Sequence, residues 1–394
     1  MERKIVQMKE GYNFMNNTCK LSIIEATSLI LIVVISHIIL DLPNVLLVSA
    51  SSAAPLNIIY ITVLALMFFL IINKLFTHFS GKDIIDVSEF VGGPLLKKIV
   101  SLLYSLQLIF IAGILILNFS QTIRTIYLQD MPNWLICLVF ILIGIISNLF
   151  GFKNVSKINS ILMPFILITI IAIFIALFTD FVPERIFPIL GYGINETFFL
   201  GSTNIFALGG IILLFLIRPQ LKDDKAAKKV GIFAILISGV FLLLTVTVLL
   251  FIFPFTTGRE GVLSVYMITR TIQFGKFFQR VDALFILIWV LTFFSYLAVI
   301  MSYVVKITNK NYTPKHNTIT VYLTGASIFL VSLIPKDIVQ IRFAQNVIYK
   351  YSTLIIVFGL TLTIMIFGYL KKKKQKRLCS ITTENVLKEN SDES

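Results

Sequence analysis

The residues able to do chemistry in this chain are few, and nearly all of them interrupt long apolar runs. The first group is Ser36-His37, deep in an apolar stretch that ends at Asp41-Leu42-Pro43-Asn44. Polar side chains at membrane depth are costly and turn towards a bundle interior or a cavity. An imidazole offers both a donor and an acceptor there and titrates near neutral pH. Pro43 is expected to stop the helix, with Leu42 pushed out of helical geometry. The run then continues from Asn44 to Ala53, so the helix reads as broken and resumed. A broken helix frees backbone groups that a ligand can satisfy. The competing reading is an ordinary helix end with His37 bonded to a neighbouring helix.

A second group is Gly191-Tyr192-Gly193-Ile194-Asn195 followed by Gly201-Ser202-Thr203-Asn204-Ile205-Phe206-Ala207-Leu208-Gly209-Gly210. Glycines loosen the backbone, Ser, Thr and Asn supply bonding groups, and a helix N-terminus nearby can receive a carboxylate. Close packing through small residues is the alternative. Arg280 and Asp282, just before Trp289, form a third group. Two positions apart on a helix, they do not face each other, so each needs another partner, water or the membrane interface. Tyr104, Gln107, Asn118 and Gln121 are lesser candidates. Gln107 and Asn118 are eleven apart and share a face, as a ligand wall or a polar packing seam.

Catalytic signatures are missing. The chain holds no Walker motif, no HExxH, no His/Cys cluster and no G-x-S-x-G, so neither enzyme, metal site nor cofactor is expected. Cys19, Cys137 and Cys379 lie too far apart for a zinc or redox motif.

The elements that must position these groups are membrane helices. The chain is 57% hydrophobic and 14% charged, with a mean hydropathy of +0.92. A soluble domain is about a quarter charged and less apolar. Ten spans are expected, at roughly 21–40, 54–74, 97–120, 132–151, 157–179, 198–218, 229–254, 278–305, 318–335 and 347–370. Residues 1–20 form a polar leading segment that lacks the pattern of a cleavable signal, 21–370 the membrane domain, and 371–394 a basic, polar tail expected to be disordered. Residues 82–96 read as a short interfacial helix ended by Gly92-Gly93-Pro94, and 262–277 as an amphipathic external segment. The net charge of +14 sits mostly in short loops, which favours membrane orientation over a nucleic-acid partner. Lys and Arg fall mainly on the side of the N-terminus, so both termini are expected in the cytoplasm. Interruptions in spans 1 and 6 occupy equivalent places in two five-helix halves, which points to a site between inverted repeats.

The ten spans, Leu40-Asp41-Leu42-Pro43, the loop Gly81-Lys82-Asp83-Ile84-Ile85-Asp86 and the run from Arg280-Val281-Asp282 to Trp289 together resemble the B subunit of bacterial spore germinant receptors. The similarity runs from about Lys20 to Leu370. That family belongs to the amino acid–polyamine–organocation transporter superfamily. The resemblance implies an all-α polytopic membrane protein with a five-plus-five inverted-repeat fold and broken helices 1 and 6. It also implies a small nutrient germinant, commonly an amino acid, and A and C subunits as partners in the spore inner membrane. Members commonly carry glycines in the span-1 break, where this chain has Ser36-His37-Ile38-Ile39, so His37 either contacts the ligand or fills its place. The expected ligand wall is Ser36, His37, Tyr104, Gln107, Gly201, Thr203, Asn204 and Phe206. Pro43, Arg280, Asp282 and Trp289 are expected to be structural or gating. An ion-coupled amino-acid permease is the rival function, and a scaffold that binds nothing is a third.

Overall fold

The structure, a computed structural model, describes residues 20–254, 265–270, 281–311 and 317–392. Among them every regular element is a helix, without strands. It is an all-α polytopic membrane protein. Among the described residues, eight helical stretches are long and apolar enough to cross a bilayer, and two shorter apolar helices stand at the positions of the remaining expected spans. At 1.5 Å per residue the shorter ones reach only about 25 Å, against a hydrocarbon core of about 30 Å.

Helix α1 (Ile23–Leu40) starts with a reciprocal cap, in which the Glu25 N–H donates to Ser22 Oγ and the Ser22 N–H to Glu25 Oε2. Its apolar residues point in all directions because 83% of it is buried inside the bundle, against 33% of α6 (Phe152–Ala176). It is therefore the central helix, wrapped by α6, α8 (Asp224–Ile252), α10 (Val281–Asn311) and the segment that enters span 6. Helix α6 turns Ile161, Phe165, Ile168 and Ile175 outward, a stripe suited to a lipid surround.

Helix α1 breaks, but not at the proline. The non-helical residue is Asp41 (φ −146°, ψ −19°), and Leu42 already belongs to α2 (Leu42–Ala50). Pro43 opens that helix rather than stopping the previous one. Its missing N–H is harmless in a first turn. The chain then turns through Ser51, a non-glycine residue at φ 56°, into α3 (Ala54–Phe76).

Helix α4 (Ile84–Ile126) contains the expected short helix and its end. Gly92 (φ −131°) and Gly93 (φ 74°) separate the first two turns from the long span. α5 (Asn133–Leu149) and α6 complete the first half. Cys137 is a free, buried thiol on α5.

The entry to span 6 is irregular throughout. Asn195–Phe199 is a π turn, and Leu200–Ile211 is a 3-10 stretch of 12 residues. 3-10 geometry rarely persists beyond three or four residues. Only Ile212–Ile217 (α7) is regular. After α8 come the short α9 (Val265–Thr269), α10 and α11 (Asn317–Ser332). The last span is α12 (Ile338–Phe343), a π turn at Ala344–Tyr349, α13 (Lys350–Thr353), a second π stretch at Leu354–Leu360, and α14 (Thr361–Asp392). The tail expected to be disordered thus continues the last helix, as its Lys, Gln, Leu and Glu residues favour.

At the basic end of the bundle, the Gly81-to-Asp86 loop closes onto α10. Asp83 and Asp86 cap each other's backbone, and Lys310 Nζ reaches Asp83 Oδ2 at 2.5 Å and Asp86 Oδ1 at 2.7 Å. Burial raises the pKa of the Asp83 carboxyl, and the Lys310 ammonium opposes that rise. Nearby, buried Arg218 donates to Asn73 Oδ1 and Asp224 Oδ1 and lies 4.4 Å from the Phe76 ring centroid.

Candidate functional site

The two interrupted helices meet the last span in a layer of aromatic rings. His37, on the final turn of α1, stacks on Tyr349 at 5.1 Å and meets the edge of Tyr296 at 5.8 Å. Phe206, in the 3-10 stretch, stands edge-on to Tyr349 at 5.4 Å. His37 Nε2 and the Tyr296 hydroxyl are buried without a hydrogen-bond partner. A buried polar atom left unpaired costs about 1–3 kcal/mol. The two rings are in edge contact, so one apolar layer holds two unpaired polar atoms, where an incoming polar group gains.

Beside the rings lies a chain of amides. Asn57, on α3, donates through Nδ2 to the Thr197 and Gly201 carbonyls at 2.7 and 3.0 Å. Asn204 donates to Asn57 Oδ1 at 2.9 Å and to Ser49 Oγ at 3.0 Å. Lys350 Nζ donates to Asn204 Oδ1 at 3.2 Å. One network therefore joins α2, α3, the unwound entry of span 6 and the last span. Gly201 is part of it for steric reasons, since a Cβ there would stand 2.4 Å from Asn57 Nδ2.

The other expected wall residues divide. Ser36 spends its hydroxyl on the Ile32 carbonyl, and Thr203 on that of Leu200, each within its own turn. Neither is aimed at the ring layer through a polar atom. Gln107 Nε2 donates to Thr353 Oγ1 at 3.0 Å, and Tyr104 bonds Thr361 Oγ1 at 2.6 Å. These two tie α4 to the last span, inward of Tyr349, and Gln107 meets the layer one turn below it. Pro43 lies two residues past the break, in the first turn of α2. Trp289 is fully buried among Phe119, Tyr266, Phe285 and Phe293, with Nε1 unpartnered. Arg280 lies outside the described residues, as does the side chain of Asp282.

Tyr349, Lys350, Tyr296 and Asn57 were not singled out from the sequence. Lys350 and Asn57 did carry a signal, each a polar residue within an apolar run. A cleft of about 370 Å³ does exist, but it is lined by Gln121, Arg124, Thr125, Gln129 and Asn133, at the far end of α4.

Fold and site together define a polytopic membrane protein whose broken helices converge on a buried polar–aromatic layer. The family described as spore germination protein, the spore permeases, matches residues 20–341; the chain belongs to this family. Spore germination protein KB of Bacillus subtilis (strain 168) is 23% identical over 245 residues, 61% of this chain and 66% of that protein. Spore germination protein B2 of the same organism is 21% identical over 323 residues, 79% of this chain and 84% of that protein.

Proposed function

We propose that this chain is the membrane subunit of a spore germinant receptor, sensing a small nutrient germinant, an amino acid, where helices 1 and 6 are broken. Its ten spans form a five-plus-five inverted repeat. It sits in the spore inner membrane with both termini in the cytoplasm and works with A and C subunits. The observation that carries the reading is His37, buried in the ring layer with an unpaired nitrogen at the break of the central helix. A ligand that pairs this nitrogen and packs on Tyr349 and Phe206 favours one arrangement of the helices. Only such a differential contact moves a conformational balance.

The test is a bulky, apolar replacement at the junction of the network, Asn204→Leu, in spores that otherwise carry the native receptor. Nutrient-triggered loss of optical density is followed, with immunoblots of the spore membrane to measure the chain's abundance. The expected result is a normal amount of protein and no nutrient response. A normal response from Asn204→Leu spores removes the site assignment.

A further inference from the structure

We infer that Lys350 is the anchor for a carboxylate on the ligand, an inference that rests on the sensor reading and gives its site a chemical preference. Lys350 opens α13 between the two π stretches of the last span, within the helical stretch Ile338–Gln375 that is long and apolar enough to cross a bilayer. A cation at membrane depth needs a partner. Arg218 and Lys310 are each within 2.7 Å of a carboxylate, whereas Lys306 on α10 also rests on a neutral oxygen, donating to the Leu216 carbonyl at 3.2 Å. Among the described residues, no carboxylate lies within 4 Å of Lys350 Nζ. Its contacts are one neutral oxygen, Asn204 Oδ1, and the Phe206 ring at 5.8 Å. An ammonium has three donors, and one is used.

The position of this cation is held from both sides. Asn204 is fixed by Asn57 and Ser49, so its oxygen aims at Lys350 whether or not a ligand is present. The residue before Lys350 is Tyr349, which stacks on His37 and meets Phe206. The ammonium therefore stands at the rim of the ring layer that holds the unpaired atoms. Backbone donors at the break of helix 1 are mostly spent. The Asp41 N–H returns to the His37 carbonyl at 3.1 Å, the Asn44 N–H to the Asp41 carbonyl at 3.0 Å, and Pro43 has none to give. An anion entering here meets a side-chain cation rather than a cradle of amides. The ligand class is a small monocarboxylate with an apolar body, the carboxylate on Lys350 and the body on Phe206 and Tyr349.

The experiment uses the purified full chain in detergent, the common L-amino acids and their carboxamides as probes, and the melting temperature as readout. For the wild type, at least one acid stabilises, and its carboxamide binds about tenfold more weakly. In Lys350→Met the acid weakens to the level of the amide, while Lys350→Arg keeps the preference. Amide binding controls for folding of Lys350→Met. Should that variant not fold, Asn204→Asp decides, because its carboxylate occupies the ammonium and must abolish the preference for the acid. Equal acid affinity in wild type and Lys350→Met, or an unchanged preference in Asn204→Asp, overturns the anchor and leaves the sensor standing. Failure of every amino acid to stabilise the wild type overturns both.

Discussion

Replacing Lys310 with methionine keeps the stem and strips the charge that holds the Gly81-to-Asp86 loop to α10. In the wild type the ammonium lies within 2.7 Å of two carboxylates, of which Asp83 is 3% exposed and Asp86 27%. Removing one partner of a buried pair costs about 3–5 kcal/mol. The quarter exposure of Lys310 places the expected loss at the lower end, about 3 kcal/mol. The loss depends on pH. Burial already raises the Asp83 carboxyl, and without the ammonium it rises further, as two like charges share one site. A carboxyl whose folded pKa exceeds its unfolded value stabilises the fold only while protonated. That stability is present at low pH and disappears as pH rises through the folded pKa. The deficit of Lys310→Met is therefore largest near about pH 8 and shrinks towards about pH 5. Thermal unfolding of the purified protein at both values measures it. Adding Asp83→Asn to the variant removes the stranded charge and recovers part of the loss. A deficit that does not change with pH, or a double variant that falls by the full sum of the two single losses, refutes the reasoning.

Three further outcomes are expected. Asn57→Leu strands the Asn204 amide and two span-6 carbonyls and lowers unfolding stability by about 3 kcal/mol, read by the same melts. Gly209→Val sets a Cβ 2.6 Å from the Thr353 methyl, an overpacking worth about 1–3 kcal/mol, and a melting temperature equal to wild type contradicts it. His37→Phe keeps the stack on Tyr349 and removes an unpaired nitrogen, so the melting temperature holds or rises while the nutrient response of spores is lost; a retained response counts against the site.

The helical membrane architecture was legible in the sequence because hydrocarbon imposes one rule on twenty-residue runs. Both interruptions were legible too, through Pro43 and through the glycines and amides after Gly191. The proline misplaced the first break by two residues, since a proline is as comfortable opening a helix as it is hostile to continuing one. Of the candidate wall, His37, Gly201, Asn204 and Phe206 lie together, and Gln107 touches the next layer. Ser36 and Thr203 do not contribute polar atoms, because a hydroxyl in a helix is readily taken up by the carbonyl of its own preceding turn. Tyr349 and Lys350 were hidden by the π turns around them, which composition does not betray. The motif loop Gly81 to Asp86 read as a family mark. In the structure it is a mutual cap and an ion cluster, which accounts for both aspartates at that spacing.

The last helix carries a consequence beyond the bundle. Lys371 to Lys374 mark where it must leave hydrocarbon, yet α14 runs on without a joint to Asp392, roughly 30 Å further at 1.5 Å per residue. Such a strut has no slack. A turn of the segment that bears Tyr349 and Lys350 reappears as a displacement at its far tip, and whatever grips that tip would register an angle rather than a tug.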